Sequence, residues 1–178
     1  MSPEKNQWVL SQVFSSPYTY FGSKVYVGGK GIENYGGKEA DFIFKNSLDN
    51  IALIEIKTPC TKLVIDQKYR TNVFALSKEL TGGINQILAY KQTLYNQYYS
   101  INTQSKKKFN AINIDCILII GNTNELLDEN KKECIENFRN ELRSVRIVTF
   151  DEILKKIEIM LGLLKQEQTQ EDVINNPN

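Results

Sequence analysis

Two acidic residues and a lysine at the ends of two apolar segments are the side chains of this sequence best suited to chemistry. Asp41 lies near the start of the segment ADFIFK, whereas Glu55 and Lys57 end the segment IALIEIK. Charged residues are depleted from strand interiors. Two carboxylates side by side can share a hard cation such as Mg²⁺. A lysine beside them can orient water or stabilise charge on a phosphoryl group.

The two apolar segments are predicted to be centrally placed strands of one hairpin, because turn-forming residues, NSLDN, separate them. If residues 46–50 form the loop, Lys45 pairs with Ile51, and counting outward sets Asp41 opposite Glu55. Cβ atoms of such a pair are about 4.5–5.5 Å apart. Lys57 projects from the same face as Glu55. The alternative is that these charged groups are solvated strand ends.

Glu39 lies two residues before Asp41 on the same face, and we interpret it as a solvated strand start rather than as an extra ligand. After the hairpin, four cations are interleaved with aromatic residues, which suits a phosphate-contacting surface. A solvated loop face explains the composition equally well. The four cations are Lys62, Lys68, Arg70 and Lys78.

A helix is predicted from about residue 84 to residue 99, after Gly82 and Gly83, because its apolar residues follow helical spacing. Gln86 and Tyr90 share one face of this helix because they are four residues apart. On spacing alone they are a polar pair on the helix surface.

Composition excludes several classes of protein. The 22 Lys and Arg against 21 Asp and Glu give a formal charge of +1, so global charge does not indicate a nucleic-acid binder. The absence of histidine excludes serine–histidine triads and histidine general bases. Three widely spaced cysteines, without a C-x-x-C pair, are interpreted as reduced and structural. No apolar run is long enough to span a bilayer, so we expect a cytoplasmic protein without a membrane partner.

The other patterns predict a framework around these residues. We expect a helix over residues 4–14, one short strand between glycine-rich turns in 22–38, a buried strand in INIDCILIIGN, and an exposed helix over 125–143. Thr149 and Glu152 have capping-box spacing before a final helix whose Ile153, Leu154, Ile157 and Leu161 are predicted to pack inward. Residues 1–165 then form one domain, and we expect 166–178 to be a polar, disordered tail.

The order D41…E55-I-K57…Q86-x-x-x-Y90 resembles the PD-(D/E)XK nuclease superfamily, in the variety whose next helix carries a Q-x-x-x-Y motif. The ordered blocks YVGGK, GGKEADF, ALIEIKTP, YRTNVFALSKEL, INQILAYKQTL, LIIGN and IVTFDEI resemble more closely the nuclease domain of the Shedu anti-phage defence family. The resemblance covers roughly residues 5–165.

This resemblance implies an α/β, restriction-endonuclease-like fold with a central mixed β-sheet flanked by α-helices. It implies a metal-dependent DNA endonuclease with Mg²⁺ or Mn²⁺ held by Asp41 and Glu55. Lys57 then positions or activates water, and Gln86 and Tyr90 line the catalytic site. It also implies homo-oligomers and a further, variable domain ahead of the nuclease domain.

Two alternatives remain open from the sequence. The domain could be a nucleic-acid-binding or oligomerisation module that is inactive without an upstream regulatory domain. A nuclease acting on RNA would use the same residues.

Overall fold

A five-stranded mixed sheet forms the centre of the computed structural model, which describes residues 6–30 and 36–175, with side chains up to residue 166. The strands are β1 (Tyr18–Lys30), β2 (Gly36–Asn46), β3 (Asn50–Ile56), β6 (Asn110–Ile119) and β7 (Arg146–Val148), in the spatial order β1-β2-β3-β6-β7. The pairs β1/β2 and β2/β3 are antiparallel, and the pairs β3/β6 and β6/β7 are parallel.

Helices cover both faces of this sheet. They are α1 (Gln7–Ser11), α2 (Lys78–Gln104), α3 (Glu129–Glu141) and α4 (Phe150–Asn175), and β4 (Val64–Arg70) and β5 (Val73–Leu76) form a separate hairpin. One apolar cluster joins the sheet to α2, α3 and this hairpin, and a second joins the opposite face to α1 and the start of α4. A mixed sheet flanked by helices confirms the predicted restriction-endonuclease-like architecture.

The predicted hairpin register is confirmed at its inner end. Lys45 pairs with Ile51, and the pairing continues outward to Phe42 with Ile54. β3 is the middle strand of the sheet and is buried almost throughout. The long apolar strand that ends before Gly121 is β6, as predicted, and it pairs in parallel with β3.

The glycine-rich segment was predicted wrongly. Instead of one short strand between turns, β1 and β2 are long strands that include Gly22, Gly28, Gly29, Gly36 and Gly37. Two irregularities interrupt the β1/β2 register, next to Gly22 and Gly28. Gly28 has a φ of 111°, which explains how a strand can bulge there without breaking. The predictions for residues 31–35 lie outside the described residues.

The helix boundaries also differ from the predictions. α1 covers only Gln7–Ser11, because Val13 and Phe14 leave the helix to be buried against the sheet; the predicted residues 4 and 5 lie outside the described part of the chain. α2 begins at Lys78 because the Ser77 side chain caps it by accepting a hydrogen bond from the Leu80 backbone N–H.

The last two helices follow their predicted patterns in part. α3 starts at Glu129 rather than at residue 125, after a single 3₁₀ turn (Thr123–Glu125), and it is capped by Asp128. Half of the capping box predicted for α4 is present: the Thr149 backbone N–H donates to Glu152 Oε2 at 2.8 Å, but the Thr149 hydroxyl donates to the same oxygen.

The inward stripe predicted for α4 is only half right. Ile153 is buried and Ile157 packs against the second cluster, but Leu154 and Leu161 are 58% and 50% exposed. α4 continues as a helix to Asn175, through most of the segment predicted to be a tail; residues 176–178 lie outside the described residues. No helix in the described ranges is both long and apolar enough to cross a membrane.

Candidate active site

Glu55 is the most deeply buried charged residue of the candidate site. It lies near the end of the central strand β3 and is only 4% exposed. Lys57 Nζ donates to Glu55 Oε1 at 2.8 Å, and Gln86 Nε2 donates to the same oxygen at 2.7 Å. Burial raises the pKa of the Glu55 carboxyl above its ordinary value; the hydrogen bond from Lys57 opposes this shift, and the nearby charge of Asp41 adds to it.

Asp41 reaches the site from the neighbouring strand β2. It lies one position beyond the Phe42–Ile54 pair, and continuing this register by one residue sets it opposite Glu55. Its Oδ2 accepts a hydrogen bond from the Ile56 backbone N–H at 2.9 Å. Because this N–H is directed toward β2, Asp41 and Glu55 form a non-hydrogen-bonded pair, the kind in which facing side chains are closest. This geometry agrees with the predicted placement of the two carboxylates on one face of the sheet.

Lys57 is held by the sheet and by α2 together. Its backbone N–H donates to the Ile119 carbonyl of β6 at 2.8 Å, which extends the parallel ladder by one residue beyond β3. Its ammonium group contacts Glu55 and also donates to Gln86 Oε1 at 2.8 Å. The side chain is 28% exposed, so the ammonium group is partly open to solvent and to a substrate.

Gln86 and Tyr90 form the α2 side of the site. Gln86 Nε2 donates to the Tyr90 hydroxyl at 2.8 Å as well as to Glu55. The pair on one helix face is thus part of the same hydrogen-bonded cluster as the strand residues. None of the described residues accepts a hydrogen bond from the Tyr90 hydroxyl, so this group is available to donate to a bound molecule.

Two residues of the site were missed by the sequence analysis. Lys24 in β1 forms an ion pair with Asp41 Oδ1, and this hydrogen bond raises the pKa of the lysine. Gly83 lies where α2 crosses the sheet: a Cβ atom there would be 3.1 Å from two methyl carbons of Leu118 and 3.5 Å from Lys57 Cε. Of these two residues, only Gly83 had a signal in the sequence, as the second glycine of TGGIN. We predicted that both glycines precede the helix, whereas both lie inside α2.

The other candidate residues lie outside this cluster. Glu39 is exposed in β2, which fits its interpretation as a solvated group. The four cations proposed to contact DNA are exposed and belong to the loop after β3, to β4 and to the start of α2: Lys62, Lys68, Arg70 and Lys78. Lys68 Nζ lies 5.4 Å from the centre of the Phe74 ring. No hydrogen bond joins any of the four to the cluster within the described residues.

The donor set of the site suits a hard divalent cation. Asp41 and Glu55 supply carboxylate oxygens on one face, the ligands that Mg²⁺ and Mn²⁺ prefer. Repulsion from Asp41 contributes to the raised pKa of Glu55, and a cation between the two would offset it. Within the described ranges no group of three or more His, Cys, Asp or Glu side chains could hold a metal, so water or substrate oxygens would have to complete the coordination.

The fold and this arrangement of side chains define a protein of the restriction-endonuclease-like class, with the order D, E-x-K and Q-x-x-x-Y on β2, β3 and α2. The family model described as "Shedu protein SduA, C-terminal" matches residues 4–154. The chain therefore belongs to this Shedu family, as its sequence blocks predicted.

A curated relative supports the same assignment. The chain is 38% identical over 168 residues to "Shedu protein SduA" of Bacillus cereus (strain B4264), and the match covers 91% of this chain. The same match covers 44% of the relative, so this chain spans less than half of that protein's length.

Proposed function

We propose that this chain is a divalent-cation-dependent DNA endonuclease that acts in the cytoplasm in bacterial defence against phage. The observation that carries the proposal is the hydrogen-bonded cluster of Glu55, Lys57, Gln86 and Tyr90, with Asp41 opposite Glu55. A cluster of this kind contributes little to folding, because burying Glu55 is costly. Membership of the Shedu family supports the defence role.

Each residue has a distinct role in the proposed hydrolysis. Asp41 and Glu55 would hold Mg²⁺ or Mn²⁺. A bound divalent cation supplies charge neutralisation and lowers the pKa of coordinated water. Lys57 orients the attacking water and stabilises negative charge on the phosphoryl oxygens. The new bond joins water oxygen to phosphorus, and the bond from phosphorus to the leaving sugar oxygen breaks.

Gln86 and Tyr90 complete the site from the helix. Gln86 has one donor group and one acceptor group on its amide, and it uses them to hold Glu55 and Lys57 at once. The Tyr90 hydroxyl can donate to a non-bridging phosphate oxygen. Lys62, Lys68, Arg70 and Lys78 would bind the DNA backbone without reading its sequence.

The test is cleavage of supercoiled, linear and single-stranded DNA with Mg²⁺ or Mn²⁺, comparing the wild type with Lys57→Ala. Lys106→Ala, at an exposed lysine after α2, is the matched control. Cleavage by the wild type and the control, lost in Lys57→Ala, supports the proposal. Binding of DNA without cleavage by any of the three contradicts it and favours a binding module that depends on an upstream domain.

Single-stranded RNA in the same assay tests the remaining alternative. Cleavage of RNA but not of DNA would show that the substrate is RNA, and the proposed catalytic residues would stay the same. The defence role is tested separately, by the plating efficiency of phage on cells that express either the wild type or Lys57→Ala.

The homo-oligomer implied by the family resemblance needs an exposed apolar surface, and α4 has one. Apolar side chains from the middle of α4 are 42–58% exposed: Leu154, Ile159, Met160, Leu161, Leu163 and Leu164. Leu154 and Leu161 are seven residues apart, and Leu164 follows three residues later, which is the spacing of helix-pairing residues. We therefore propose a second copy of this chain as the partner of α4.

A further inference from the structure

A cavity of about 370 Å³ lies between α2, the first half of β6, the end of α3 and the start of β7. Residues 113–116 of β6 line it, whereas the catalytic cluster lies farther along the sheet, where Glu55 pairs with Leu118. None of the five predicted catalytic residues lines the cavity. It is therefore a separate site, beside the edge of the sheet that ends in β7.

Positive charge dominates the lining of this cavity, which includes four cations and one acidic residue: Lys91, Arg139, Arg143, Arg146 and Asp115. Arg139 is neutralised by ion pairs with Glu136 and Glu152. The other three cations form no ion pair with any described residue.

The partners of the remaining groups leave this positive charge in place. Arg146 donates to the Val13 carbonyl at 3.0 Å, and Lys91 Nζ lies 6.0 Å from the centre of the Tyr95 ring. Asp115 accepts a hydrogen bond from the Tyr18 hydroxyl at 2.8 Å. Val13 and Tyr18 pack in the second cluster, on the opposite face of the sheet, so Arg146 and Asp115 are held on that side. Lys91 and Arg143 leave a net charge of about +2 at the cavity.

We propose that this cavity binds a phosphate-bearing ligand. Arginine presents a planar fork of donors that matches phosphate oxygens, and lysine adds a point charge. Asn113, Asn140 and Ser144 supply neutral hydrogen-bonding groups on the same lining. The volume lies within the range of small-molecule sites, about 300–1,000 Å³. The phosphate belongs to a free nucleotide or to a nucleic-acid strand, and the proposal does not depend on the proposed cleavage activity.

The experiment is a binding titration of the full chain. The ionic strength is held constant because salt screens exposed charges, and divalent cations are left out so that DNA is not cleaved. The probes are inorganic pyrophosphate, a deoxynucleoside monophosphate and a short single-stranded DNA. Calorimetry gives the affinity, and amide chemical shifts of residues 113–116 and 144–147 report the location. The variant is Lys91→Gln/Arg143→Gln, and the control is Lys106→Gln/Lys107→Gln, which removes the same charge elsewhere.

The expected result is saturable binding that shifts these amides and is at least about tenfold weaker in the Lys91/Arg143 variant, because that variant loses two charge-assisted contacts to the phosphate. The control should bind like the wild type. Tighter binding of the mononucleotide than of pyrophosphate identifies a nucleotide; tightest binding of the DNA identifies a strand. No saturable binding of any probe, or equal weakening in the control, overturns the proposal.

Discussion

Gln86 Nε2 lies 2.7 Å from Glu55 Oε1, and this contact joins α2 to the central strand at the candidate active site. A glutamine suits the position because an ionised glutamate only accepts hydrogen bonds and a lysine ammonium only donates them. The amide presents its nitrogen to Glu55 and its oxygen to Lys57. The orientation of this one helix side chain thus holds both strand residues.

The separate roles of the site residues predict a split between metal binding and cleavage. Asp41→Ala and Glu55→Ala should lose metal binding and cleavage together, because each removes a carboxylate ligand. Lys57→Ala should keep metal binding and lose cleavage. Calorimetric titration with Mn²⁺ beside the DNA assay measures both, and retained cleavage in Asp41→Ala would rule out this assignment.

Gly83 is predicted to be required for the contact between α2 and the site. Gly83→Ala forces the methyl groups of the buried Leu118 to move, so it should cost about 1–3 kcal/mol of unfolding free energy. Because Leu118 pairs with Glu55, the variant should also reduce cleavage. Gly82→Ala is the matched control, because a Cβ atom there meets nothing within 4 Å.

The control should raise the unfolding free energy by about 0.5–1 kcal/mol, since alanine is the better helix residue. Denaturant unfolding and initial cleavage rates measure both effects. Equal loss of cleavage in the two variants would show that the close approach at Gly83 has no special role.

The raised pKa of Glu55 predicts a pH-dependent stability. Below the ordinary pKa of glutamate, the Glu55 carboxyl is protonated in both the folded and the unfolded state, so its burial carries no charge penalty. As pH rises from the ordinary pKa to the raised pKa of the folded state, the carboxyl ionises first in the unfolded state, and the free energy of unfolding falls. Glu55→Gln should therefore be more stable than wild type at pH 8 without metal, and the difference should vanish near pH 4.

Denaturant unfolding in EDTA across this pH range measures the difference. Glu158→Gln, which removes an exposed partner of Lys155, serves as the control and should change stability little at any pH. A Glu55→Gln protein that is less stable than wild type at pH 8 would mean that the ion pair with Lys57 outweighs the cost of burial.

Self-association through α4 is also testable. Leu161→Lys/Leu164→Lys introduces two charges into the proposed interface and should shift the protein from an oligomer to a monomer in light scattering coupled to size exclusion. Leu127→Lys, at a residue that is 89% exposed elsewhere, should leave the mass unchanged. A wild type that is monomeric at all concentrations would contradict the proposed self-association.

Local patterns were reliable for the register of the β2/β3 hairpin and for β6. The β2/β3 register followed from the alternation of side chains and from a short loop, so Asp41 could be set opposite Glu55 before the structure was known. Long-range packing decided the elements that were predicted wrongly. Leu154 has the helical spacing of a core residue, yet it is exposed, because α4 turns the face with Ile153 and Ile157 toward the second cluster.

The sequence by itself determined which chemical groups are present and which share a strand face or a helix face, because these relations depend only on periods of 2 and 3.6 residues. It also contained the ordered segments that identify the Shedu family. Only the tertiary structure decided that Gln86 contacts Glu55 and Lys57. It also decided that Lys24 pairs with Asp41, and that the missing side chain of Gly83 allows α2 to pack closely on the sheet. Those contacts depend on how α2 and β1 pack on the sheet, and packing between elements distant along the chain has no signature in local spacing.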